Sequence, residues 1–292
     1  MNEIYSLDSN IFLDTVVPNG VDLFLIDPPY YGIVDDDWDN QWDDPQQYAD
    51  WLLGLTAKAL EKTSPTGSLI IFQALGKDNE HPIFKVVAGL EQQGWYFRNW
   101  ITWKKRRAYG KSHDYLYCRE EIIWMSKSRE RTEINFNIPL TDQLRGYKGF
   151  NKKYGAKSDF KRVSNVWDDI PELQRPQRRC QKPLPLLKRL IETHSNPGQL
   201  VVDFFAGYGS TCLAAVAAGR RTLGCEGIVA DAEAADARLQ AAMQSSATEA
   251  AHAAKETDMI GKVRSSETED IRGLCGLGDD FGEDEVPGGI GS

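Results

Sequence analysis

Residues 200–211, Leu-Val-Val-Asp-Phe-Phe-Ala-Gly-Tyr-Gly-Ser-Thr, decide the fold class of this chain. Their apolar start predicts a short buried strand, and the two glycines predict a tight turn into a helix. The run over residues 220–226 predicts the next strand, so strand, helix and strand alternate as in a parallel α/β sheet. A glycine-rich turn at this place lets a ligand approach the backbone, and the helix N-terminus favours an anionic group.

The same alternation extends over most of the chain. Apolar runs predict strands over residues 3–7, 21–27, 67–73, 95–103, 119–126, 199–204 and 220–226. Helical spacing of apolar residues predicts helices over residues 45–62, 82–93, 182–193 and 210–218. Residues 104–118 are too few for a helical crossover, so they predict an antiparallel hairpin with an extended loop at its tip. The chain is therefore predicted to form a doubly wound, mostly parallel α/β sheet with an antiparallel edge hairpin.

Charge is distributed unevenly along the 292 residues, whose formal net charge is -9. Residues 98–189 carry 23 Lys and Arg against 10 Asp and Glu, whereas residues 1–97 carry 4 against 16. This asymmetry predicts one segment that faces a polyanion; a solvated polar surface is the alternative. The strand and helix pattern stops between about residues 126 and 180, which predicts a basic insert. Candidate contacts are Lys104, Lys105, Arg106, Arg107, Lys111, Arg145, Lys148, Lys152, Lys153, Lys161 and Arg162.

Composition argues against several classes of protein. No apolar run approaches the roughly 18 residues of a membrane span, and the first residues do not resemble a signal peptide. The five scattered cysteines form no C-x-x-C pair, so we expect reduced thiols, no metal site and a cytoplasmic location. Residues 243–292 are rich in Ala, Glu, Asp, Ser and Gly and predict a disordered acidic tail. The acidic run over residues 35–44 has no assigned role, a mobile loop being one option.

A second motif, Asp27-Pro28-Pro29-Tyr30, directly follows the apolar strand over residues 21–27. Two prolines end a central strand and produce a rigid turn, at the edge of the sheet where open α/β folds bind ligands. A plain strand-ending turn is the alternative. About 20 residues after the glycine turn, Glu226 ends the next strand, where an acid can bind ribose hydroxyls. Together these features favour an adenosine-containing ligand.

These residues resemble the S-adenosylmethionine-dependent amino methyltransferases of DNA. Residues 27–30 resemble the family's catalytic D-P-P-Y motif, residues 205–209 its F-x-G-x-G cofactor loop and residues 181–183 its Q-K-P segment. Residues 196–198 match the turn before the cofactor strand, and Leu7-Asp8 matches the place of an acid that touches the cofactor's adenine. The order of the motifs is that of the β group, and the resemblance covers about residues 3–240. Residues 178–180 depart from it, because the family more often has His-Pro-Thr there. Tyr208 and Ser210 also differ from the commoner residues.

The resemblance implies a Rossmann-like methyltransferase domain. Its catalytic part is residues 1–125, its target-recognition insert residues 126–180 and its cofactor-binding part residues 181–242, with residues 243–292 as the tail. Asp27 and Pro28 would accept hydrogen bonds from the target amine, while Pro29 keeps the turn rigid and Tyr30 stacks on the flipped base. Asp203 and Lys182 would orient the methionine end of the cofactor. The implied residues for binding S-adenosyl-L-methionine are Asp8, Lys182, Asp203, Phe205, Ala206, Gly207, Tyr208, Gly209 and Glu226.

The implied activity is site-specific methylation of adenine N6 in double-stranded DNA, with no membrane partner. Asp27 favours adenine, because Ser is usual at this place in the cytosine-N4 enzymes. The alternatives are methylation of cytosine N4 and a catalytically inactive DNA-binding homologue. Methylation of RNA or of protein glutamine is disfavoured by the permuted motif order. A homodimer and a cognate restriction enzyme stay open.

Overall fold

The computed structural model describes residues 2–33, 35–76, 80–110, 112–144, 158–177 and 180–245. The predictions for Lys111, Arg145, Lys148, Lys152 and Lys153, and for the tail beyond residue 245, lie outside these residues. The chain divides into two units, Met1–Ala242 and Met243–Ser292, and the description below concerns the first. Within the described residues, no helix has both the length and the hydrophobicity to cross a membrane.

Strands and helices alternate along the chain, as the sequence predicts. The strands are β1 Asn2–Ser6, β2 Val21–Ile26, β3 Thr63–Gln73, β4 Tyr96–Tyr109, β5 Tyr117–Ser126, β6 Leu140–Leu144, β7 Phe160–Arg162, β8 Val166–Trp167, β9 Leu200–Asp203 and β10 Arg221–Glu226. The helices are α1 Ser9–Thr15, α2 Pro45–Lys62, α3 Pro82–Gln93, α4 Leu184–His194 and α5 Ser210–Ala217, and residues 229–242 are also helical.

The main sheet of the described residues has the strand order β1-β10-β9-β2-β3-β5-β4-β8. The strands from β1 to β3 in this order are parallel neighbours, whereas β5 runs antiparallel to both β3 and β4. This arrangement confirms the doubly wound, mostly parallel sheet and its antiparallel hairpin. The short strand β8 lies at the outer edge of the sheet, where it pairs in parallel with Thr102 and Trp103 of β4.

Helices cover both faces of the sheet, and the central strand β2 shows how one sequence serves two cores. Phe24 and Ile26 pack into the core under α1, α2 and α3, while Leu23 and Leu25 pack into the core under α4 and α5. Alternate residues of a strand point to opposite faces, so a strand buried on both sides must be apolar throughout. This is why residues 23–26 of β2 form a continuous apolar run, whereas the half-buried Asp22 near its start bonds to the N–H of Leu200.

Three features of the fold were not predicted. Helix α1 is short, and its N-terminus is capped by the Asp8 side chain, which accepts the N–H groups of Asn10 and Ile11. Residues 104–109, predicted as part of a loop, continue β4 as a strand. The insert also contains the antiparallel pair β6–β7.

Candidate active site

The Asp27–Tyr30 turn and the glycine loop meet at the carboxyl ends of two neighbouring strands. β2, which leads into Asp27, pairs in parallel with β9, which leads into residues 205–209. After β2 the chain continues to β3 on one side of this strand pair, and after β9 it continues to β10 on the other side. Such a point of divergence leaves a crevice in open α/β sheets. A cavity of about 360 Å³ lies there and is lined by both turns, a size typical of small-molecule sites.

Hydrogen bonds from neighbouring elements hold the Asp27–Tyr30 turn. The Pro29 carbonyl accepts a hydrogen bond from the Tyr48 hydroxyl of α2 at 2.7 Å, and the Gln73 amide donates to that hydroxyl at 2.7 Å. The Pro28 carbonyl, in contrast, has no hydrogen-bond partner among the described residues, and Pro28 lines the cavity. This carbonyl is therefore available to a ligand.

Asp39 holds the other side of the turn. Its fully buried carboxylate accepts the N–H of Tyr30 at 2.5 Å and the N–H of Ile33 at 2.7 Å. One member of the acidic run over residues 35–44 therefore organises the site. Sequence reasoning missed Asp39 because it stands among several other aspartates, and no local pattern marks the one that folds inward.

The Asp27 carboxylate is the centre of a buried network of charges. The Tyr30 hydroxyl donates to its Oδ1 at 2.5 Å, and the Lys182 ammonium donates to its Oδ2 at 2.5 Å. The same ammonium lies 3.0 Å from the Tyr30 hydroxyl oxygen and 3.4 Å from Oε2 of Glu120. Lys105 forms an ion pair with the other oxygen of Glu120. Because only 5% of the Lys182 side chain is exposed, two carboxylates share one buried cation.

Burial and charge pairing act in opposite directions within this network. Burial raises the pKa of Asp27, and Lys182 offsets only part of this effect. Burial by itself would lower the pKa of Lys182, but the carboxylates of Asp27 and Glu120 outweigh it and the pKa is raised. For Glu120, the attraction of Lys182 and Lys105 outweighs burial, and its pKa is lowered. Asp27 is therefore the member whose charge is most easily lost.

The two glycines of the loop after β9, Gly207 and Gly209, are required for different structural reasons. Both have positive φ, 51° at Gly207 and 76° at Gly209. A Cβ at Gly207 would meet only the Phe205 carbonyl oxygen, 4.0 Å away, so its backbone faces open space in the cavity wall. A Cβ at Gly209 would lie 2.9 Å from Ile4 Cδ1 and 3.2 Å from Ala235 Cβ. Gly207 thus leaves room for a ligand, whereas Gly209 allows close packing.

Three carboxylates surround the loop. Oε2 of Glu226 accepts the N–H of Gly207 at 2.9 Å. Asp203 accepts the N–H of Phe205 at 2.9 Å, and burial raises its pKa to about 7. Asp8 lies on the same cavity wall. Carboxylates bind hydroxyl groups and cations, so these residues, together with the open glycine backbone, fit a ligand that carries a ribose, an ammonium group and a sulfonium centre.

Most of the predicted catalytic and cofactor residues come together on one cavity wall. Of these predicted residues, only Gly209 does not line the cavity. Lys182 lies on this wall with its ammonium on Asp27, and its place at the methionine end of the cofactor stays a prediction. The predicted residues on the wall are Asp8, Asp27, Pro28, Pro29, Tyr30, Lys182, Asp203, Phe205, Ala206, Gly207, Tyr208 and Glu226.

Glu120 was not predicted. It lies near the start of the strand predicted over residues 119–126, beside a second acid, Glu121. No local pattern shows which of the two faces a lysine from a distant segment. An acid in a mostly apolar strand is the only sign that the sequence offers.

The predicted DNA-contacting residues that the structure describes lie outside this wall. Lys105 differs from the others, because it pairs with Glu120 and lies 5.3 Å from the centre of the Trp103 ring. It therefore belongs to the charge network as much as to the surface. The exposed members are Lys104, Arg106 and Arg107 on β4 and Lys161 and Arg162 on β7.

A family model described as DNA methylase, the N6/N4 methyltransferase model, matches residues 21–233. The chain belongs to this DNA methylase family. The match confirms the predicted family and its cofactor, S-adenosylmethionine. Among curated proteins, the type II methyltransferase M1.MboII of Moraxella bovis is 29% identical to this N6/N4 methylase over 245 residues, which cover 77% of this chain and 92% of the relative.

Solved structures of methyltransferases share the fold of this N6/N4 methylase. The complex of M1.HpyAVI with S-adenosylmethionine has a TM-score of 0.55 at 22% identity and covers 82% of this chain and 99% of the other. The cytosine-N4-specific PvuII DNA methyltransferase has a TM-score of 0.61 at 18% identity and covers 80% and 84%. At these identities the likeness shows the fold and leaves the target base undecided.

Proposed function

We propose that this methylase transfers a methyl group from S-adenosylmethionine to N6 of adenine at specific sites in duplex DNA. The observation that carries the proposal is the pair of hydrogen-bond acceptors on the cavity wall, the Asp27 carboxylate and the unpartnered Pro28 carbonyl. Both stand beside the cofactor loop, on a turn that Tyr48 and Asp39 hold from either side.

The two acceptors address the chemical difficulty of the reaction. The exocyclic amine of adenine is a weak nucleophile, because its lone pair is delocalised into the ring. Acceptors for both N–H groups favour a geometry in which the lone pair is available for attack, and they stabilise the positive charge that develops on nitrogen. When bound, S-adenosylmethionine supplies a methyl group that is already activated as a sulfonium. As the amine nitrogen forms its bond to the methyl carbon, the bond from that carbon to sulfur would break and S-adenosylhomocysteine would leave. The methylated nitrogen would then give up one proton to solvent, while the Asp27 carboxylate and the Pro28 carbonyl hold the amine in place.

Lys182 is proposed as a positioning residue that keeps Asp27 ionised. A carboxylate in this buried site would otherwise take up a proton and lose much of its strength as an acceptor. Tyr30 orients the same carboxylate through its hydroxyl. Glu120 completes the arrangement, since its charge compensates the ammonium and keeps Lys182 protonated.

The target base must leave the duplex to reach these acceptors. An amine inside a base pair is inaccessible to an acceptor on a cavity wall, so the base is flipped out, as in other enzymes that act on bases. The ring of Tyr30 lines the cavity and is proposed to stack on the extruded base.

The carboxylates around the glycine loop are proposed to hold the cofactor. Glu226 would bind the ribose hydroxyls through lone pairs that its bonds to backbone N–H groups leave free. Asp8 would face the adenine, and Asp203 would orient the methionine end. Gly207 contributes by leaving the backbone open.

Cytosine N4 is the second candidate target. The cytosine-N4-specific PvuII enzyme has the same fold, so the fold by itself is compatible with either target. The acidic residue at position 27 is the feature that favours adenine.

The direct test uses purified protein, S-adenosylmethionine with a labelled methyl group, and mixed-sequence duplex DNA. After digestion of the DNA, mass spectrometry of the nucleosides should place the label in N6-methyladenosine. Label in N4-methylcytosine would keep the fold and the cofactor and overturn the adenine assignment. Asp27→Ala should lose transfer by several orders of magnitude while calorimetry still detects cofactor binding, and near-normal transfer by this variant would refute the role of Asp27.

A further inference from the structure

The β4–β5 hairpin projects past the active site on an anchored stem. The Leu75 N–H at the end of β3 donates to the Tyr117 hydroxyl at 3.1 Å. On the other strand, the Glu172 carboxylate accepts the N–H groups of Arg106 and Arg107 at 2.9 and 3.1 Å. These contacts fix the backbone of the stem and leave both arginine side chains exposed. The pairing of β4 with β5 shifts register between Lys104 and Tyr109, and Glu172 holds the backbone in this irregular part of the stem.

The direction of the hairpin follows from the register of the sheet. Glu121 of β5 pairs with Gln73, the last residue of β3, so the residues before Glu121 extend beyond the carboxyl edge where the cavity opens. Glu120, one residue further out, is already part of the Asp27 network. At about 3.3 Å per extended residue, the tip at Leu116 lies roughly 13 Å beyond Glu120.

The tip of the hairpin carries large apolar side chains that contribute to neither buried core. Tyr109 is 66% exposed, Tyr115 94% and Leu116 65%. We call these three residues the hairpin tip. A Cβ at Gly110, the residue after Tyr109, would lie 3.0 Å from Leu116 Cδ2, so the exposed side chains belong to neighbouring positions at one end of the hairpin. The exposed side chains of Arg106 and Arg107 stand beside them on the stem.

We propose that the hairpin tip is a wedge that enters the base stack of duplex DNA beside the target base. The inference rests on the proposed function, which supplies the duplex and the need to extrude a base. Stacked bases present apolar faces inside a polyanionic backbone. The tip offers two aromatic rings and a leucine side chain, and the exposed guanidinium groups of Arg106 and Arg107 lie on the β4 strand of its stem. Apolar wedges of this kind unstack base steps in other DNA-binding proteins, and arginines bind the phosphates on either side.

The experiment compares the wild type with the double variant Tyr115→Ser/Leu116→Ser. The substrates are 40-base-pair duplexes with randomised centres, which contain every short target sequence, and the same strands without their complements. Removal of the wedge should lower methyl transfer to duplexes by roughly 10- to 100-fold, the equivalent of the cost of unstacking a base step. Transfer to single strands, which need no opening, should stay within about twofold of the wild type.

A matched control keeps the test specific for the tip. Phe97→Ser removes an exposed aromatic ring from the opposite end of the same hairpin, where Phe97 pairs with Met125, and should leave the ratio of duplex to single-strand transfer unchanged. An unchanged ratio in the tip variant, or an equal loss on both substrates, would overturn the wedge.

A binding measurement separates failure of the wedge from failure of the proposed function. The wild type should bind a duplex with a central unpaired bulge several-fold more tightly than the fully paired duplex, because the gap is already open, and the tip variant should lose this preference. If the wild type transfers no methyl group to any DNA, the proposed function fails and the bulge preference alone decides the wedge. Equal preference in wild type and variant refutes it.

Discussion

Replacing Asp203 by Asn should make the free energy of unfolding less sensitive to pH. Asp203 is 2% exposed, and burial raises its pKa from 3.8 to about 7. The folded state therefore holds this proton more tightly than the unfolded state. The stabilisation from Asp203 is complete below pH 3.8 and is lost as the pH rises through about 7. At 1.36 kcal/mol for each pH unit between the two values, the total loss is roughly 4 kcal/mol.

Urea unfolding at pH 5 and pH 8, without cofactor, measures this effect. Between these two values the wild type should lose roughly 3 kcal/mol relative to Asp203→Asn, which is about 1 M in the urea midpoint. Asp14→Asn, which removes an exposed carboxylate, is the control for the loss of one charge. If the urea midpoints of the wild type and of Asp203→Asn change by the same amount between pH 5 and pH 8, the reasoning is refuted.

The same proton should be linked to cofactor binding. A cationic methionine end favours the ionised form of Asp203, so binding at pH 6 should release a proton. Calorimetry in two buffers of different ionisation enthalpy counts this proton. The count should fall in Asp203→Asn, and an unchanged count would contradict the placement of Asp203 at the charged end of the cofactor.

Three further predictions follow from the site. Lys182→Met removes the cation that opposes the raised pKa of Asp27, so the acidic limb of the kcat/KM profile against pH should move to higher pH. Lys182→Arg keeps a cation and should keep the wild-type profile. Identical profiles for all three proteins would contradict this prediction. Asp39→Ala leaves the N–H groups of Tyr30 and Ile33 without their carboxylate partner and should lower the free energy of unfolding by about 2 to 4 kcal/mol. A loss under 1 kcal/mol in urea titrations would argue against its role. Gly209→Ala should destabilise the fold more than Gly207→Ala because only Gly209 lacks space for a Cβ, whereas Gly207→Ala should weaken cofactor binding more; thermal unfolding and calorimetry test this order.

Local signals in the sequence were sufficient where a single residue type decides the backbone. Helices α2 and α3 have the predicted bounds, because Pro45 and Pro82 suit the first helical position and Gly94 ends α3 with a φ of 102°. Helix α4 begins two residues later than predicted, at Leu184, because Pro183 takes the capping position. The prolines after β2 and the glycines after β9 likewise marked both halves of the site.

Long-range contacts of charged residues could not be predicted in the same way. Lys182 was assigned to the methionine end from its place in a motif, and this stays a prediction. Nothing in that motif indicated that its ammonium also bonds to Asp27, which lies far away in the chain. Glu120 and Asp39 carry no local sign of their roles. The basic run over residues 104–109 was predicted as a loop, but Glu172 supplies the hydrogen bonds that make its backbone a strand edge.

The sequence by itself determined the fold class, the order of the motifs and the position of the two turns that form the cavity. These depend on apolar periodicity and on the backbone preferences of proline and glycine, which act over a few neighbouring residues. The tertiary structure decided which carboxylates are buried, which cation they share and where the hairpin tip points. These depend on desolvation and on distances of a few ångströms between residues from distant segments, and folding alone brings such residues together.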